Sequence, residues 1–507
     1  MMFNSWSFIL VFLPICLFLY FNLAKLDVRL ACLFLVGASF LFYGYWSVRY
    51  LPLLATSILV NYIFGRLIAK KLTNSPRKSL SLLWLAVVSN LLILIYYKYS
   101  DFFLDDFNEL FGTKFSLGKV ILPLGVSFFT FTQIAFLVDA YKGKIKQFNF
   151  VHYCLFVTYF PHLIAGPILH HGAMIPQFAE EKNYEFKIEN FSIGLAWFVV
   201  GLFKKVMIAD TFAKYSDPIF AAVDGGVSPT FIVSWIAVIA FAFQIYFDFS
   251  GYTDMAIGIS LIFGIQLPVN FDSPYKATNV IQFWRRWHIS LSNFLRDYLY
   301  IPLGGSKKGK RRRYVNLMLT MTLGGLWHGA NWTFVVWGVL HGVFLSINHV
   351  WNETTHNSIK VRRKSSPTWL KVAFTFFLTC VAWTFFRASD VNAACRMLGG
   401  MLLFNGFSLP QGFSNYQPFF SALHLKTQFT GIFMGITAFN IQTLLLFFAI
   451  SGGIIWGAPN TQKVLNKENI YAMTRQKTIL SVVALGIMFV SSITNFSQIQ
   501  TFIYFQF

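Results

Sequence analysis

The stretch YVNLMLTMTLGGLWHGAN, residues 314–331, is followed at once by WTFVVWGVLHGVFLSIN, residues 332–348. Between Val315 and Asn348 the chain contains no aspartate, glutamate, lysine or arginine. A helix needs about 20 mostly apolar residues to cross the hydrocarbon core of a bilayer, so this stretch predicts two consecutive spanning helices. The first of them carries the ionisable side chain of His328.

The composition of the whole chain agrees with a membrane protein. Of its 507 residues, 56% are hydrophobic and 12% are charged, and that charged share is about half of what soluble domains contain. A soluble core cannot bury so many apolar side chains, so the fold needs lipid as a solvent. The 22 tyrosines and 14 tryptophans suit the two membrane–water interfaces.

The net charge and the cysteines exclude other classes of protein. A net charge of +21 would suggest nucleic acid as a partner of a soluble protein, but no nucleic-acid-binding motif accompanies it. We therefore assign the charge to cytoplasmic loops and anionic lipid head groups. The five cysteines include no CxxC pair, so they indicate neither a disulfide framework nor a zinc site.

Apolar runs of spanning length recur along the chain, so we expect an all-α, polytopic membrane protein with about 11 to 13 spans. The segment 149–170 is broken by Pro161, Gly166 and Pro167, and we predict that it is re-entrant. The first run lacks a basic n-region and an A-x-A cleavage site, so we expect it to be retained. The candidate spans are 6–22, 29–47, 51–68, 79–97, 119–140, 189–208, 229–249, 252–268, 314–331, 333–350, 369–386, 439–457 and 478–495.

The loops predict how these spans are oriented. Four loops are basic, whereas the loop between the fourth and fifth spans is acidic. Because basic loops remain in the cytoplasm, both chain termini are predicted to be extracytoplasmic. The basic residues are Arg66, Lys70, Lys71, Arg77, Lys78, Lys142, Lys144, Lys146, Lys307, Lys308, Lys310, Arg311, Arg312, Arg313, Arg362, Arg363 and Lys364, and the acidic ones are Asp101, Asp105, Asp106 and Glu109.

The chain shows no internal repeat and no soluble domain, so we expect one integral membrane domain over residues 1–507. Within it we distinguish N-terminal spans (1–147), a central part that carries the chemical motifs (148–350) and C-terminal spans (351–507).

The segment GGLWHGAN, residues 324–331, predicts a functional site. An ionisable residue inside a span is usually functional, although His328 could instead be a neutral histidine that bridges two helices by a hydrogen bond. The surrounding glycines leave room for a substrate, and they would equally allow close helix packing. Desolvation disfavours the imidazolium form, so we expect His328 to accept a proton. Trp327 and Asn331 are candidate substrate-binding residues.

A second histidine-centred segment is FWRRWHISLS, residues 283–292. Its two arginines, flanked by tryptophans, would suit an anionic and planar ligand such as a nucleotide-bearing thioester. The alternative is an interfacial anchor whose arginines snorkel to the lipid head groups. The candidate donor-binding residues are Trp284, Arg285, Arg286 and Trp287, and His288 adjoins them.

Other polar residues carry weaker signals. Asp248 and Asp254 would suit paired carboxylates for acid–base chemistry, but we favour a helix break between two spans. The run 307–313 is predicted to set orientation, with an acidic ligand as the alternative. His170 and His171 lack a third ligand at a sensible spacing, so no metal is predicted there. The sequence contains no GxSxG, P-loop or HExxH motif.

Segments 244–268, 283–305 and 321–342 resemble the membrane-bound O-acyltransferase (MBOAT) superfamily, in its bacterial alginate and peptidoglycan O-acetyltransferase-like branch. The resemblance runs through nearly the whole chain, except that 351–370 and 405–440 match no pattern. The motifs are YFDFSGYTDMAIG (246–258), FWRRWHISLS (283–292), RDYLYIPLGG (296–305), WHG (327–329), FPHLIAGP (160–167) and FIYFQF (502–507).

The resemblance implies a helical, funnel-shaped fold in a bacterial cytoplasmic membrane. It implies that His328 is the catalytic histidine and His288 the second motif histidine. Related proteins pass acyl groups from a cytoplasmic donor towards an extracytoplasmic acceptor, so we expect no bound cofactor, acetyl-CoA or a similar thioester as donor, and an envelope polysaccharide such as alginate or peptidoglycan as acceptor. Such proteins often work with a separate extracytoplasmic acetyltransferase, which we expect as a partner; the alternative to direct transfer is that this chain only exports the acyl group to that partner.

Other functions remain open at this point. The branch that transfers D-alanine to teichoic acid has a related pattern, although the stretches 249–251 and 253–255 look more like the alginate branch. A transporter without covalent chemistry would show inverted repeats and paired broken helices, and we find no repeat. A purely structural scaffold would leave the segment Trp327-His328-Gly329 unexplained.

Overall fold

The computed structural model describes most of the chain, and the secondary structure of the part described is helical apart from one pair of short strands. The described residues are 1–118, 120–145, 147–357, 366–410, 414, 417–422, 428–430, 441–471, 474–496 and 502–503. Some residues used above lie outside them, namely Lys146, Arg362, Arg363 and Lys364 of the predicted basic loops and 504–507 of the last motif.

The helices follow one another with short connections. In the first 224 residues they are α1 (Leu13–Leu26), α2 (Val28–Gly44), α3 (Leu51–Asn74), α4 (Pro76–Leu94), α5 (Ser100–Phe111), α6 (Val126–Tyr141), α7 (Phe150–Thr158), α8 (Phe160–Leu163), α9 (His171–Ala179), α10 (Ile188–Phe203) and α11 (Asp210–Asp224). Those that follow are α12 (Phe231–Ile262), α13 (Val280–Trp284), α14 (Ile289–Leu295), α15 (Gly309–His328), α16 (Trp332–Asn357), α17 (Thr368–Arg387), α18 (Val391–Met401), α19 (Gln417–Ala422), α20 (Ile441–Gly452), α21 (Thr461–Val464), α22 (Lys467–Tyr471) and α23 (Arg475–Thr494).

Shorter elements complete the secondary structure. Turns of π-helix are Ser7–Phe12, Ile95–Tyr99, Lys204–Ala209, Arg296–Tyr300 and Gly453–Gly457, and turns of 3-10 helix are Val48–Tyr50, Glu181–Tyr184 and Pro274–Lys276. Strands β1 (Ser408–Pro410) and β2 (Gln428–Thr430) pair in parallel, with Ser408 opposite Gln428.

Eight helical segments in the described part of the chain are long and apolar enough to cross a membrane, and three apolar helices are shorter. The protein is therefore an all-α, multi-pass membrane protein, and the eight and the three together reach the lower end of the expected range. The eight are Ser7–Leu26, Val48–Asn74, Pro76–Phe111, Ile188–Asp224, Phe231–Ile262, Trp332–Thr354, Thr368–Arg387 and Arg475–Thr494, and the three are Val28–Gly44, Val126–Tyr141 and Gln442–Gly457.

Helix α15 differs from the span predicted at 314–331. It begins at Gly309, inside the basic run, and ends at His328. Gly329 adopts an extended conformation (φ −157°, ψ 151°) that ends the helix. Consequently His328 is the last residue of α15 and does not lie in the interior of a span, as its apolar surroundings had predicted.

The predicted helix break at Asp248 and Asp254 is wrong, because both residues lie inside α12, one continuous helix of 32 residues. Buried carboxylates need partners, and the π-helical turn after α10 supplies them. Lys205 Nζ lies 2.6 Å from Asp248 Oδ1 and 2.7 Å from Asp210 Oδ1, and Lys204 Nζ lies 2.6 Å from Asp254 Oδ2. With these ion pairs inside the bundle, α12 does not have to break to expose its carboxylates to water.

Glycines bring α10 and α12 into close contact. Gly194 faces Gly258, and Gly201 faces Gly251, so the two helices are antiparallel along this seam. A Cβ atom added at Gly258 would lie 2.4 Å from Gly194 O, and one at Gly201 would lie 2.5 Å from Gly251 O. Small residues of this kind let membrane helices pack with their backbones in contact. The seam fixes α12, whose Phe249 packs against the His288 ring.

Candidate active site

His328 is enclosed by aromatic rings at the end of α15. Its ring centroid lies 4.9 Å from Trp327, 5.1 Å from Trp337 and 5.3 Å from Phe386. Only 5% of the residue is exposed. Enclosure of this kind excludes bulk water, which strengthens the electrostatic interactions of a reacting group.

Two residues just after α4 hold the end of α15. Lys98 Nζ donates to the carbonyl oxygens of Trp327 (2.6 Å) and His328 (2.8 Å), and the Tyr99 hydroxyl donates to the carbonyl of Leu326 (2.7 Å). The last carbonyls of a helix lack intrahelical partners, and a cation there also offsets the negative end of the helix dipole. Lys98 could not be found from the sequence, because it lies 230 positions from His328 and no local pattern links the two.

His288 is fully buried in a backbone conformation that is uncommon for a residue with a side chain (φ 43°, ψ 55°). Its Nδ1 lies 3.3 Å from Asn270 Oδ1, which also accepts the N–H (3.0 Å) and the hydroxyl (2.9 Å) of Ser290. Since a carboxamide oxygen only accepts, the hydrogen of His288 lies on Nδ1 and Nε2 is the basic nitrogen. Asn270, which the sequence analysis did not single out, thus sets the orientation of this histidine.

The fold brings the two histidine-centred segments together. The ring centroids of His288 and His328 are 6.5 Å apart, and Trp327 lies 6.4 Å from His288. Trp327 also stacks on Phe131 of α6, at 5.2 Å and 19°. Two histidines this close can contact one substrate, with one of them taking a proton from a hydroxyl group.

A cavity of about 110 Å³ reaches His328. Its wall includes Trp46, Lys98 and Trp327, together with residues 122–128 around the start of α6. A cavity of about 150 Å³ in another protein holds one benzene molecule, so this space is of the size that an acetyl group needs.

The donor-binding candidates occupy different environments. Arg285 is exposed and Arg286 is half-buried, whereas Trp284 and Trp287 are buried. Trp284 Nε1 donates to His341 Nδ1 at 3.2 Å, and Trp287 is packed among other aromatic rings. The tryptophans therefore anchor the segment in the core, and the arginines remain accessible to a ligand.

Asn331 joins the segment after His328 to its surroundings. Its Nδ2 donates to the carbonyl of Ser389 (2.7 Å), and its Oδ1 accepts the N–H of Thr333 (2.9 Å) at the start of α16. Both polar ends of the amide are used within the protein, so Asn331 fixes this loop.

His341 is a buried histidine that the sequence analysis missed, although it lies in the same charge-free stretch as His328. Only 1% of it is exposed. Its ring lies 4.8 Å from Trp337, which in turn contacts His328. An ionisable residue within an apolar span was the signal that could have found it.

His170 and His171 are used in different contacts. His171 Nδ1 lies 3.0 Å from Asp139 Oδ2, and His170 Nδ1 lies 3.2 Å from the hydroxyl of Tyr298. In the part of the chain that the structure describes, no group of three or more His, Cys, Asp or Glu could hold a metal ion.

The fold and the site thus define a multi-pass helical membrane protein in which two buried histidines lie close together and one of them, His328, lines a cavity. The chain belongs to the membrane-bound O-acyltransferase family (MBOAT), whose family model matches residues 40–389. It is therefore an O-acyltransferase.

Sequence relatives agree with the branch that the motifs indicated. The chain is 43% identical over 439 residues to a peptidoglycan O-acetyltransferase of Helicobacter pylori, with 81% of each chain covered. It is 42% identical over 417 residues to a probable alginate O-acetylase of Pseudomonas putida, which covers 81% of this chain and 82% of the relative. A teichoic acid D-alanyltransferase of Streptococcus thermophilus is 28% identical over 254 residues, which is 48% of this chain and 60% of the relative.

Proposed function

We propose that this O-acyltransferase takes an acetyl group from a cytoplasmic thioester, acetyl-CoA or a similar donor, for O-acetylation of a cell-envelope polysaccharide such as peptidoglycan or alginate. The protein resides in a bacterial cytoplasmic membrane, and a separate extracytoplasmic acetyltransferase is its partner. The names of the relatives at 43% and 42% identity support the acetyl group and the polymer. D-alanyl transfer has less support, because that relative is more distant, and the family is one of transferases, which disfavours a transporter.

The observation that carries this proposal is the position of His328, which is buried at the end of α15, beside His288 and next to a cavity. His328 is the general base, and it accepts the proton of the hydroxyl group that attacks the acyl carbonyl carbon. His288, oriented by Asn270, presents Nε2 to the substrate. Trp327 forms part of the cavity wall and keeps water from the acyl group.

The donor is bound on the side of the 283–292 segment. Arg285 and Arg286 contact its phosphates and adenine, because guanidinium groups form bidentate bonds to phosphate and stack on aromatic rings. Trp284 and Trp287 act indirectly, since they hold the segment in the core. Asn331 acts in the same indirect way on the loop that follows His328.

Replacing His328 by alanine tests the proposal. We expect an inserted, folded protein whose acetyl transfer is lost, since general-base catalysis contributes about 10²–10⁴-fold. Acetyl esters would be measured on purified envelope polysaccharide from cells that lack the protein and from cells that produce each variant, beside melting curves of the purified proteins.

A matched control is His152→Ala, because His152 is a partly exposed histidine on α7 that does not line the cavity. Polysaccharide from cells that produce this variant should carry as many acetyl esters as polysaccharide from cells that produce the unmodified protein. A near-normal ester content with His328→Ala would contradict the role of His328. If the envelope polymers carry no acetyl esters in any strain, the proposal that the transferred group is an acetyl group is wrong.

A further inference from the structure

The cavity beside His328 lies at the N-terminal end of α6. Gly125 is the N-cap residue of this helix, with φ 70° and ψ 7°, a conformation that glycine adopts at little cost. A Cβ atom there would lie 3.1 Å from the carbonyl oxygen of Leu163. Glycine thus lets the chain turn into α6 with its first residues on the cavity wall.

The first turn of α6 contains backbone N–H groups that have no backbone acceptor among the described residues. The N–H of Val126 donates to Pro123 O (3.2 Å), and that of Phe129 donates to Gly125 O (3.0 Å). Between them, the N–H groups of Ser127 and Phe128 make no such bond to a backbone oxygen of the described residues. Unsatisfied amides at a helix start, together with the positive end of the helix dipole, attract negative charge.

Ser127 adds a side-chain donor at the same place. The residue is 8% exposed and lines the cavity, and α6 has no side-chain cap at its start. Within the described part of the chain, the Ser127 hydroxyl has no hydrogen-bond partner. Because this hydroxyl has no acceptor within the residues described and stands on a cavity wall, its position indicates a ligand oxygen as its partner.

Lys98 completes the donor set. Its ammonium group has three N–H donors, and two of them are directed to the carbonyl oxygens of Trp327 and His328. Lys98 and His328 both line the cavity, so the third donor is close to the space that a reacting group beside His328 would fill.

We propose that this cavity is the oxyanion site of the reaction, in which the Ser127 hydroxyl and the N-terminal amides of α6 stabilise the negative charge that develops on the acyl carbonyl oxygen. The proposal rests on the function proposed above and deepens it. Donors already in place where charge develops are usually the largest single contribution to catalysis of this kind.

The acyl group passes from the thiol of the donor to the acceptor hydroxyl through a tetrahedral intermediate. The oxygen of the acceptor hydroxyl forms a bond to the thioester carbonyl carbon, its proton passes to His328, and the carbonyl π-electron pair moves to the oxygen held by Ser127. The tetrahedral intermediate then collapses, the C–S bond breaks, and the thiolate takes the proton from His328. An ester and a free thiol result.

Ser127→Ala separates this role from a structural one. Inverted membrane vesicles from cells that produce each variant would receive radiolabelled acetyl-CoA, and label in the envelope polymer would be followed over time. Loss of one oxyanion donor lowers the turnover rate by about 10²–10³-fold in other enzymes. We expect a loss of at least about tenfold here, since backbone donors remain, with an unchanged KM for acetyl-CoA. Ser127→Thr, which keeps the hydroxyl, should restore most of the rate.

Thr132→Ala is the matched control, because Thr132 lies on the same helix but its hydroxyl donates to Phe128 O (2.9 Å) and it does not line the cavity. It should keep the full rate. A normal rate with Ser127→Ala, while His328→Ala is inactive, would overturn the oxyanion site and leave the proposed function intact. An acetyl group found on Ser127 by mass spectrometry of quenched samples would also overturn it, because Ser127 would then be a nucleophile.

Discussion

His328 is held in place by residues from separate parts of the chain. Lys98 binds the carbonyl at its helix end, and the rings of Trp337 and Phe386 contact its imidazole. A side chain packed in this way has few alternative rotamers, so little reorganisation is needed when a substrate arrives. The geometry of the proposed base therefore depends on the packing of α15 against α16 and α17.

The accessible arginines of the second histidine segment give a prediction about the donor. Replacing Arg285 or Arg286 by glutamine should raise the KM for acetyl-CoA and leave the dependence on the acceptor unchanged. Loss of one charge-assisted hydrogen bond costs about 1.5–3 kcal/mol, which is roughly ten- to over a hundredfold in affinity. Initial rates in inverted vesicles over a range of acetyl-CoA concentrations measure this effect.

The rival role for these arginines is an interfacial anchor, whose loss would lower stability instead. Arg475→Gln is a suitable control, because Arg475 is an exposed arginine at the start of α23. Its donor kinetics should not change. Unchanged donor kinetics together with a lower melting temperature in Arg285→Gln and Arg286→Gln would support the anchor and refute donor binding.

At the scale of the elements, the seam between α10 and α12 determines where α12 lies. Phe249 of α12 packs edge-on against the His288 ring, with centroids 4.7 Å apart. The seam consists of backbone atoms, and backbone atoms cannot move aside as the end of a flexible side chain can. A displacement of α12 should therefore also displace the ring of His288.

Gly258→Ala is expected to destabilise the protein and to lower its activity. The added Cβ atom would lie 2.4 Å from Gly194 O, so the two helices must separate. Overpacking of this kind costs about 1–3 kcal/mol. A lower melting temperature of the purified protein, with less acetyl transfer in vesicles, would show the effect.

Gly486→Ala provides the comparison, because Gly486 lies within α23 and a Cβ atom there would meet no other atom within 4 Å. Alanine is favoured over glycine in a helix interior by about 1 kcal/mol, so this variant should be as stable as the unmodified protein or more stable. Equal melting temperatures for Gly258→Ala and Gly486→Ala would show that the seam is not tightly packed.

At the scale of the whole molecule, the basic run and the acidic helix α5 lie near opposite ends of α15. The helix has 20 residues, which makes it about 30 Å long. Its first residue, Gly309, belongs to the basic run, and its last is His328. Near the His328 end lies the acidic helix α5, whose Asp106 accepts a hydrogen bond from Trp332 Nε1 at 3.3 Å. The basic and acidic loops that were assigned to opposite sides are thus separated by the length of α15.

The orientation itself is a prediction that labelling can test. Ser306→Cys in the basic loop should react with a membrane-impermeant maleimide only after spheroplasts are lysed, because the loop at 304–313 is predicted to be cytoplasmic. The exposed native Cys395 would first be changed to serine, since the other four cysteines are buried. Glu109→Cys, on α5, should react in intact spheroplasts. Labelling of Ser306→Cys before lysis would show that the predicted orientation is wrong. The chain terminus at Phe507, which is also predicted to be extracytoplasmic, lies outside the described residues.

The sequence by itself determined the class of fold, and it singled out the two histidine-centred segments as the candidate site. The length of an apolar run and the charge of a loop are local properties of the sequence. The thickness of the bilayer and the side of the membrane determine them directly, so the all-α multi-pass fold could be predicted. The segments around His288 and His328 could be found for the same reason, since each is a local pattern. The same local reasoning failed at Asp248 and Asp254, where it predicted a helix break.

Only the tertiary structure decided how these parts meet. Lys205 forms an ion pair with the buried carboxylate of Asp248 in α12. Lys98 donates a hydrogen bond to the carbonyl of His328 at the end of α15, and Ser127 lines the same cavity as His328. Each of these pairs is far apart in the chain or on different helices, so no spacing in the sequence encodes it. Which helices become neighbours depends on the packing of whole surfaces, and that packing brings the rings of His288 and His328 to 6.5 Å.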